Sequence, residues 1–96
     1  MESKSSIRLP GNKTLQHAAE IARDNDKPIM MDYWNDSVTE TALIGVKDNE
    51  EKLLVKSEEE YTSPILKIYK VETEYIIMTE NSIYLVSANI PTKRIS

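Results

Sequence analysis

The chain has 96 residues and a mass of 11.0 kDa, which suffices for one hydrophobic core and excludes a multidomain enzyme. Hydrophobic residues make up 40% of the chain and charged residues 29%, a balance typical of a globular protein and not of a disordered tail or a membrane protein. Sixteen acidic and twelve basic residues give a net charge of −4, which repels phosphate backbones, so we expect no nucleic-acid partner.

Cysteine is absent from the sequence, and this excludes disulfides, thiolate metal sites and a catalytic thiol. The first residues lead into no apolar run of the kind found in signal peptides, and no stretch reaches the length of a membrane span. We therefore predict a cytoplasmic protein with no membrane contact.

The first eleven residues are polar and serine-rich, and they end in Pro10-Gly11. This composition is typical of a flexible arm that is closed by a turn. We predict an N-terminal arm at residues 1–11 and a single compact domain at residues 12–96.

Residues 13–24 carry the spacing of one helical face, with Leu15, Ala18, Ala19 and Ala22 at i, i+3, i+4 and i+7. We predict that this helix packs on a sheet through those four side chains. Either Asn12 or Thr14 is expected to cap its start, and residues 25–26 are expected to close it before Pro28.

After Pro28 the sequence changes to short runs of Ile, Val, Leu, Tyr and Met separated by Asn, Asp, Glu and Ser, the pattern of strands and turns. We predict an α+β fold in which one N-terminal helix precedes a five- to six-stranded antiparallel meander. Strands are expected near residues 29–35, 41–47, 52–56, 65–72, 75–80 and 82–88, with tight turns at 48–51, 73–74 and 81–82.

In the last strands both the odd-numbered and the even-numbered positions are apolar, and this pattern predicts that the sheet is buried on both faces. A sheet of this kind must either curl or be covered by the helix, so we expect a small bent sheet or barrel. The order of elements from Tyr75 to Ile95 is similar to the last part of SH3-like barrels. We assign the odd-numbered Tyr75, Ile77, Ile83 and Leu85 to one side and the even-numbered Ile76, Met78, Tyr84 and Val86 to the other, and we expect Val55, Ile77, Ile83 and Leu85 in the core.

The residues that an enzyme would need are few. Two glycines cannot form a phosphate-binding loop, and no nucleophile, acid–base pair or metal cluster is evident from spacing. His17 could act as a base with Glu20, but it falls on the polar side of the helix, where a solvated histidine is the simpler interpretation. Asp32 lies in an apolar run without a second catalytic group. We therefore predict a protein that is not an enzyme, with no catalytic, cofactor-binding or metal-binding residues and no cofactor.

The aromatic residues beside polar turns are the candidates for partner binding. Tyr33 and Trp34 precede a polar turn, and amphipathic aromatics in such places often form binding sites; for Trp34 the alternative is core packing. Tyr61 and Pro64 lie in the segment that follows the acidic run 57–60. That run could bind a basic partner or a cation, or it could be a solvated loop. We predict a partner-binding set of Tyr33, Trp34, Tyr61 and Pro64.

Three phrases carry a resemblance that covers residues 13–95: KPIMMDYW at 27–34, EYTSPI at 60–65 and TENSIY at 79–84. Together they resemble small proteins encoded by large nucleocytoplasmic DNA viruses of the mimivirus-like and algal-virus groups. The resemblance implies a virus-encoded protein of the host cytoplasm or the virion, and it carries no catalytic residues.

Two functions therefore remain as hypotheses. The first is a non-enzymatic structural or interaction protein, such as a minor virion or assembly component, whose strand edges are covered by neighbouring chains or by further copies of itself. The second is an SH3-like binding module for a peptide or protein. Both predict a protein partner.

Overall fold

The computed structural model describes residues 9–95 of the chain, so residues 1–8 of the predicted arm lie outside the described residues. Two helices and seven strands follow one another along this part of the chain. They are α1 (Asn12–Asn25), β1 (Ile29–Met30), α2 (Trp34–Val38), β2 (Leu43–Val46), β3 (Lys52–Val55), β4 (Ile65–Val71), β5 (Glu74–Thr79), β6 (Ile83–Ser87) and β7 (Thr92–Arg94).

The predicted helix is α1, and its end agrees with the sequence. Asp26 adopts the left-handed conformation with φ 54°, and the Lys27 N–H donates to the Ala22 carbonyl at 3.1 Å. The start differs, because the N-cap is Gly11, which supplies no side-chain cap. The Thr14 hydroxyl instead donates to the Glu74 carboxylate on β5, a partner sixty residues away that local sequence cannot reveal.

The buried face of α1 is rotated from the predicted one. Thr14 and Ala18 are buried and Ile21 and Ala22 are half-buried, whereas Leu15 and Ala19 are exposed. The prediction that Leu15 and Ala19 pack on the sheet is therefore wrong. The helix turns its Thr14 side inward because the buried Thr14–Glu74 hydrogen bond anchors that side to β5.

Glu74 is a buried carboxylate that holds the first turn of α1 in place. Its Oε1 accepts hydrogen bonds from the Thr14 hydroxyl and from the Gly11 N–H, the latter at 3.0 Å. A negative charge at a helix N-terminus is also favourable to the helix dipole. We predict that Glu74→Ala lowers the free energy of unfolding by about 1.5–3 kcal/mol, since two donors lose a charged acceptor. Urea denaturation measures this change.

Glu72→Ala is the matched control for that prediction. The Glu72 carboxylate is exposed and lies 4.0 Å from the Lys13 ammonium, so its removal should change stability by no more than about 0.5 kcal/mol. Equal losses in the two variants would show that Glu74 does not anchor the helix.

The strands form two mixed sheets. The central sheet has four strands in the order β1-β6-β5-β4, and the outer sheet has three in the order β3-β2-β7. The predicted α+β class, with one main helix before a bent sheet, is confirmed. The meander is incomplete, because β1 pairs with β6 and β2 pairs with β7 in parallel. Within residues 9–95 the strands do not close into a barrel.

The strand predicted at residues 29–35 is wrong beyond Met30. The chain leaves the sheet there and forms the short helix α2, which buries Trp34 and Ser37. The Ser37 hydroxyl donates to the Trp34 carbonyl at 2.6 Å and accepts the Ser87 N–H of β6 at 2.8 Å. This long-range bond holds α2 against β6, and it favours helix over the strand that the apolar run suggests.

The two inner strands of the central sheet, β5 and β6, are buried on both faces, as predicted. The residues that share a face differ from the sequence prediction. In the observed register of β5 and β6, even-numbered residues of one strand lie opposite odd-numbered residues of the other. One face forms the helix-side cluster of Ala18, Trp34, Ile76, Met78, Ile83 and Leu85. The other forms the sheet-side cluster of Tyr33, Ala42, Ile44, Leu54, Ile77, Val86 and Ile90.

Candidate functional site

The outer sheet has a second apolar face that the core does not use. Ile44 and Leu54 point inward to the sheet-side cluster, so their neighbours along β2 and β3 point outward. Leu43 pairs with Val55 across these strands, and Leu53 lies opposite Gly45. The leucines and the valine form the apolar floor of an open groove of about 480 Å³, and Ile95 lies at one side of it. We call this groove the outer groove.

One wall of the outer groove depends on a glycine. A Cβ atom at Gly45 would lie 2.6 Å from Cδ1 of Ile95 and 3.1 Å from Cγ2 of Val55. The glycine therefore allows the Ile95 side chain to lie against β2. The Ile95 N–H donates to the Val46 carbonyl at 2.9 Å, and this bond fixes the backbone after β7 beside the groove.

The opposite wall is the turn that follows β3. The chain reverses through Ser57 to Glu60 and returns along β3, where Tyr61 bridges to Val55. The Thr62 hydroxyl accepts the Leu54 N–H at 3.1 Å, and the Thr62 N–H donates to the Leu54 carbonyl at 2.9 Å. These bonds cover the outer edge of β3 and place the Tyr61 ring at the rim of the outer groove.

The predicted partner-binding residues divide into buried and accessible ones. The side chains of Trp34 and Tyr33 are only 2% and 5% exposed, in agreement with the core alternative for Trp34. Tyr61 is 59% exposed and lines the outer groove. Pro64 is half-buried and outside the lining of that groove. Of the four, Tyr61 is the one that the structure places beside a concave apolar surface, and partner binding by the set stays a prediction.

Tyr33 lies at a junction of aromatic and charged groups. Its ring meets Tyr84 edge to face, with centroids 5.3 Å apart, and the Lys56 ammonium is 4.7 Å from the ring centroid. Burial raises the pKa of Tyr33 to about 12, and the neighbouring Tyr84 and Asp32 act in the same direction. Burial also raises the pKa of Tyr84.

These shifts predict a loss of stability in alkali. The folded pKa of Tyr33 lies above the ordinary value of 10, so the folded protein keeps a proton that the unfolded chain releases. The resulting stabilisation is complete below pH 10 and is lost as the pH rises towards about 12. Melting temperatures should fall over this range, and less steeply in Tyr33→Phe. Parallel curves for the two proteins would contradict the assignment.

The other residues considered for chemistry are at the surface. His17 lies on the exposed side of α1, and Asp32 is exposed between β1 and α2. In residues 9–95 no group of three or more His, Cys, Asp or Glu is placed to hold a metal ion.

Sequence reasoning missed most of the outer groove. The prediction that Val55 belongs to the core is wrong, because its side chain is half-buried and lines the groove. Consecutive apolar residues in β2 and β3 were the available signal, because they require both faces of the outer sheet to be apolar. The position of Ile95 follows from the parallel β2–β7 pairing, which local patterns do not reveal.

Comparisons with protein-family models, curated proteins and solved structures find no match to this chain. No helix in the described part of the chain is both long and apolar enough to cross a membrane.

Proposed function

We propose that this protein is an interaction module, and that its outer groove receives apolar side chains of a protein partner. The observation that carries the proposal is the groove itself, about 480 Å³ with an apolar floor on the side of the outer sheet that faces away from the core. Pockets of this size are typical of ligand-binding sites.

The arrangement suits contact better than catalysis. Its floor consists of aliphatic side chains, which bind through burial and offer no nucleophile or proton acceptor. Tyr61 supplies a large and rigid amphipathic surface, the kind of side chain that often dominates the energy of an interface.

A display library of random linear peptides, selected on the wild-type protein, tests this proposal. Peptides that use the outer groove should bind Tyr61→Lys about tenfold or more weakly, the effect of losing one dominant contact. Leu66→Lys is the matched control, because Leu66 on β4 is 54% exposed but lies away from the groove. Selected peptides that bind both variants equally well would refute the proposal, as would the recovery of no peptide.

A structural role in a larger assembly is the second candidate, and β4 favours it. This strand is an edge of the central sheet, and it exposes Leu66 and Ile68 beside unpaired backbone groups. Native mass measurements at micromolar concentration distinguish the two candidates. An oligomer that Leu66→Lys dissociates supports assembly, whereas a monomer argues against assembly through β4. A virus-encoded origin and a place in a virion stay predictions that rest on the sequence resemblance.

A further inference from the structure

The outer groove has a charged rim beside its apolar floor. Resting on the proposed function, we infer that the partner segment is cationic, with a lysine or arginine next to the apolar side chain that enters the groove. Glu58, which lines the groove, is the group that selects this charge. Glu59 and Glu60 follow it along the chain and add to the negative charge of this turn.

The lysines that line the groove do not offset the charge of these glutamates. The Lys56 ammonium lies 3.5 Å from the Asp36 carboxylate and over the ring of Tyr33. The Lys47 ammonium lies 3.4 Å from the Glu51 carboxylate. Each lysine is therefore already balanced by an acidic neighbour.

The glutamates themselves have no such balance. All three are exposed, and within residues 9–95 none of them forms an ion pair. Their turn is held in one shape, because the Ser57 hydroxyl accepts the N–H groups of Glu59 and Glu60 at 3.3 and 3.2 Å. The Lys56 N–H also donates to the Glu60 carbonyl at 2.9 Å. The backbone that carries the three carboxylates is thus held in place beside the groove.

A partner that fills the groove must bring its neighbouring side chains against this turn. A cation at this position is attracted by the glutamates, and the attraction becomes stronger because the bound partner partly buries the rim. A carboxylate at the same position is repelled. The net charge of −4 over the whole chain favours the same partner during approach. The apolar floor and the acidic rim together suit a ligand segment in which a basic residue stands next to an apolar one.

The test uses peptides from the same display selection, resynthesised with each lysine or arginine replaced by glutamate. We expect basic residues beside the apolar anchor, about tenfold weaker binding of the glutamate peptides, and weakening by added salt. Glu58→Lys should weaken the basic peptide similarly and strengthen the glutamate peptide. Glu20→Lys, an equal charge change on the exposed side of α1, is the control and should leave both affinities unchanged apart from a small general effect.

The outcomes separate this inference from the proposed function. Peptides that depend on Tyr61 but carry no basic residue, or bind Glu58→Lys as well as wild type, would overturn the cationic preference and leave the groove as a binding site. Failure to recover any peptide that depends on Tyr61 would overturn both.

Discussion

Ala18→Glu should lower the free energy of unfolding by about 3–5 kcal/mol, the cost of leaving a charge buried without a partner. Ala18 is fully buried where α1 meets the central sheet, among Trp34, Ile76 and Leu85. Since native proteins are stabilised by only about 5–15 kcal/mol, this loss is a large fraction of the total, and the variant should melt at a clearly lower temperature than the wild type. Circular dichroism during heating measures the effect.

Ala19→Glu is the control for this prediction, because it makes the same substitution one position along the same helix. Ala19 is exposed, so its replacement should change stability by about 0.5 kcal/mol or less. Similar losses in the two variants would show that α1 packs through the face predicted from the sequence, which contains both alanines, and not through the one anchored at Thr14.

Ile77→Ala should cost about 2–5 kcal/mol, the range for removing a fully buried isoleucine side chain beyond Cβ. Ile77 is completely buried between the central and outer sheets, where it belongs to the same cluster as Ile44 and Leu54. The loss combines the lost burial of the methyl and methylene groups with the cavity that remains. Chemical denaturation with an unchanged slope would attribute the loss to the folded state.

Ile68→Ala provides the comparison. Ile68 pairs with Ile77 across β4 and β5, but its side chain is 37% exposed at the sheet edge. Its truncation should cost no more than about 1 kcal/mol, since less apolar surface leaves water on folding. Similar losses at the two positions would contradict the packing of the outer sheet on the central one.

Local patterns revealed much of this fold because they report on local energetics. The left-handed Asp26 ends α1 where the sequence suggested, and the apolar residues of β5 and β6 predicted a sheet buried on both faces. The predicted assignment of residues to the two faces is wrong, because it places the odd-numbered residues of both β5 and β6 on one face and the even-numbered residues on the other. In the observed register Met78 pairs with Ile83, so opposite parities share a face.

The features that sequence reasoning missed depend on contacts between distant segments. Glu74 determines which side of α1 is buried, and Ser37 holds α2 against β6 through Ser87. Neither bond has a local signature. The candidate site was only partly predictable for the same reason, since Tyr61 was identified from its acidic and polar surroundings whereas Ile95 reaches the groove through parallel strand pairing.

Amide chemical-shift mapping tests most directly whether the outer groove is where this protein meets its partner. The isotopically labelled protein is titrated with the tightest peptide from the display selection. Shifts concentrated at Leu43, Leu53, Val55, Tyr61 and Ile95 are the predicted result. Shifts concentrated on α1 or along β4, with the outer sheet unchanged, would contradict the account.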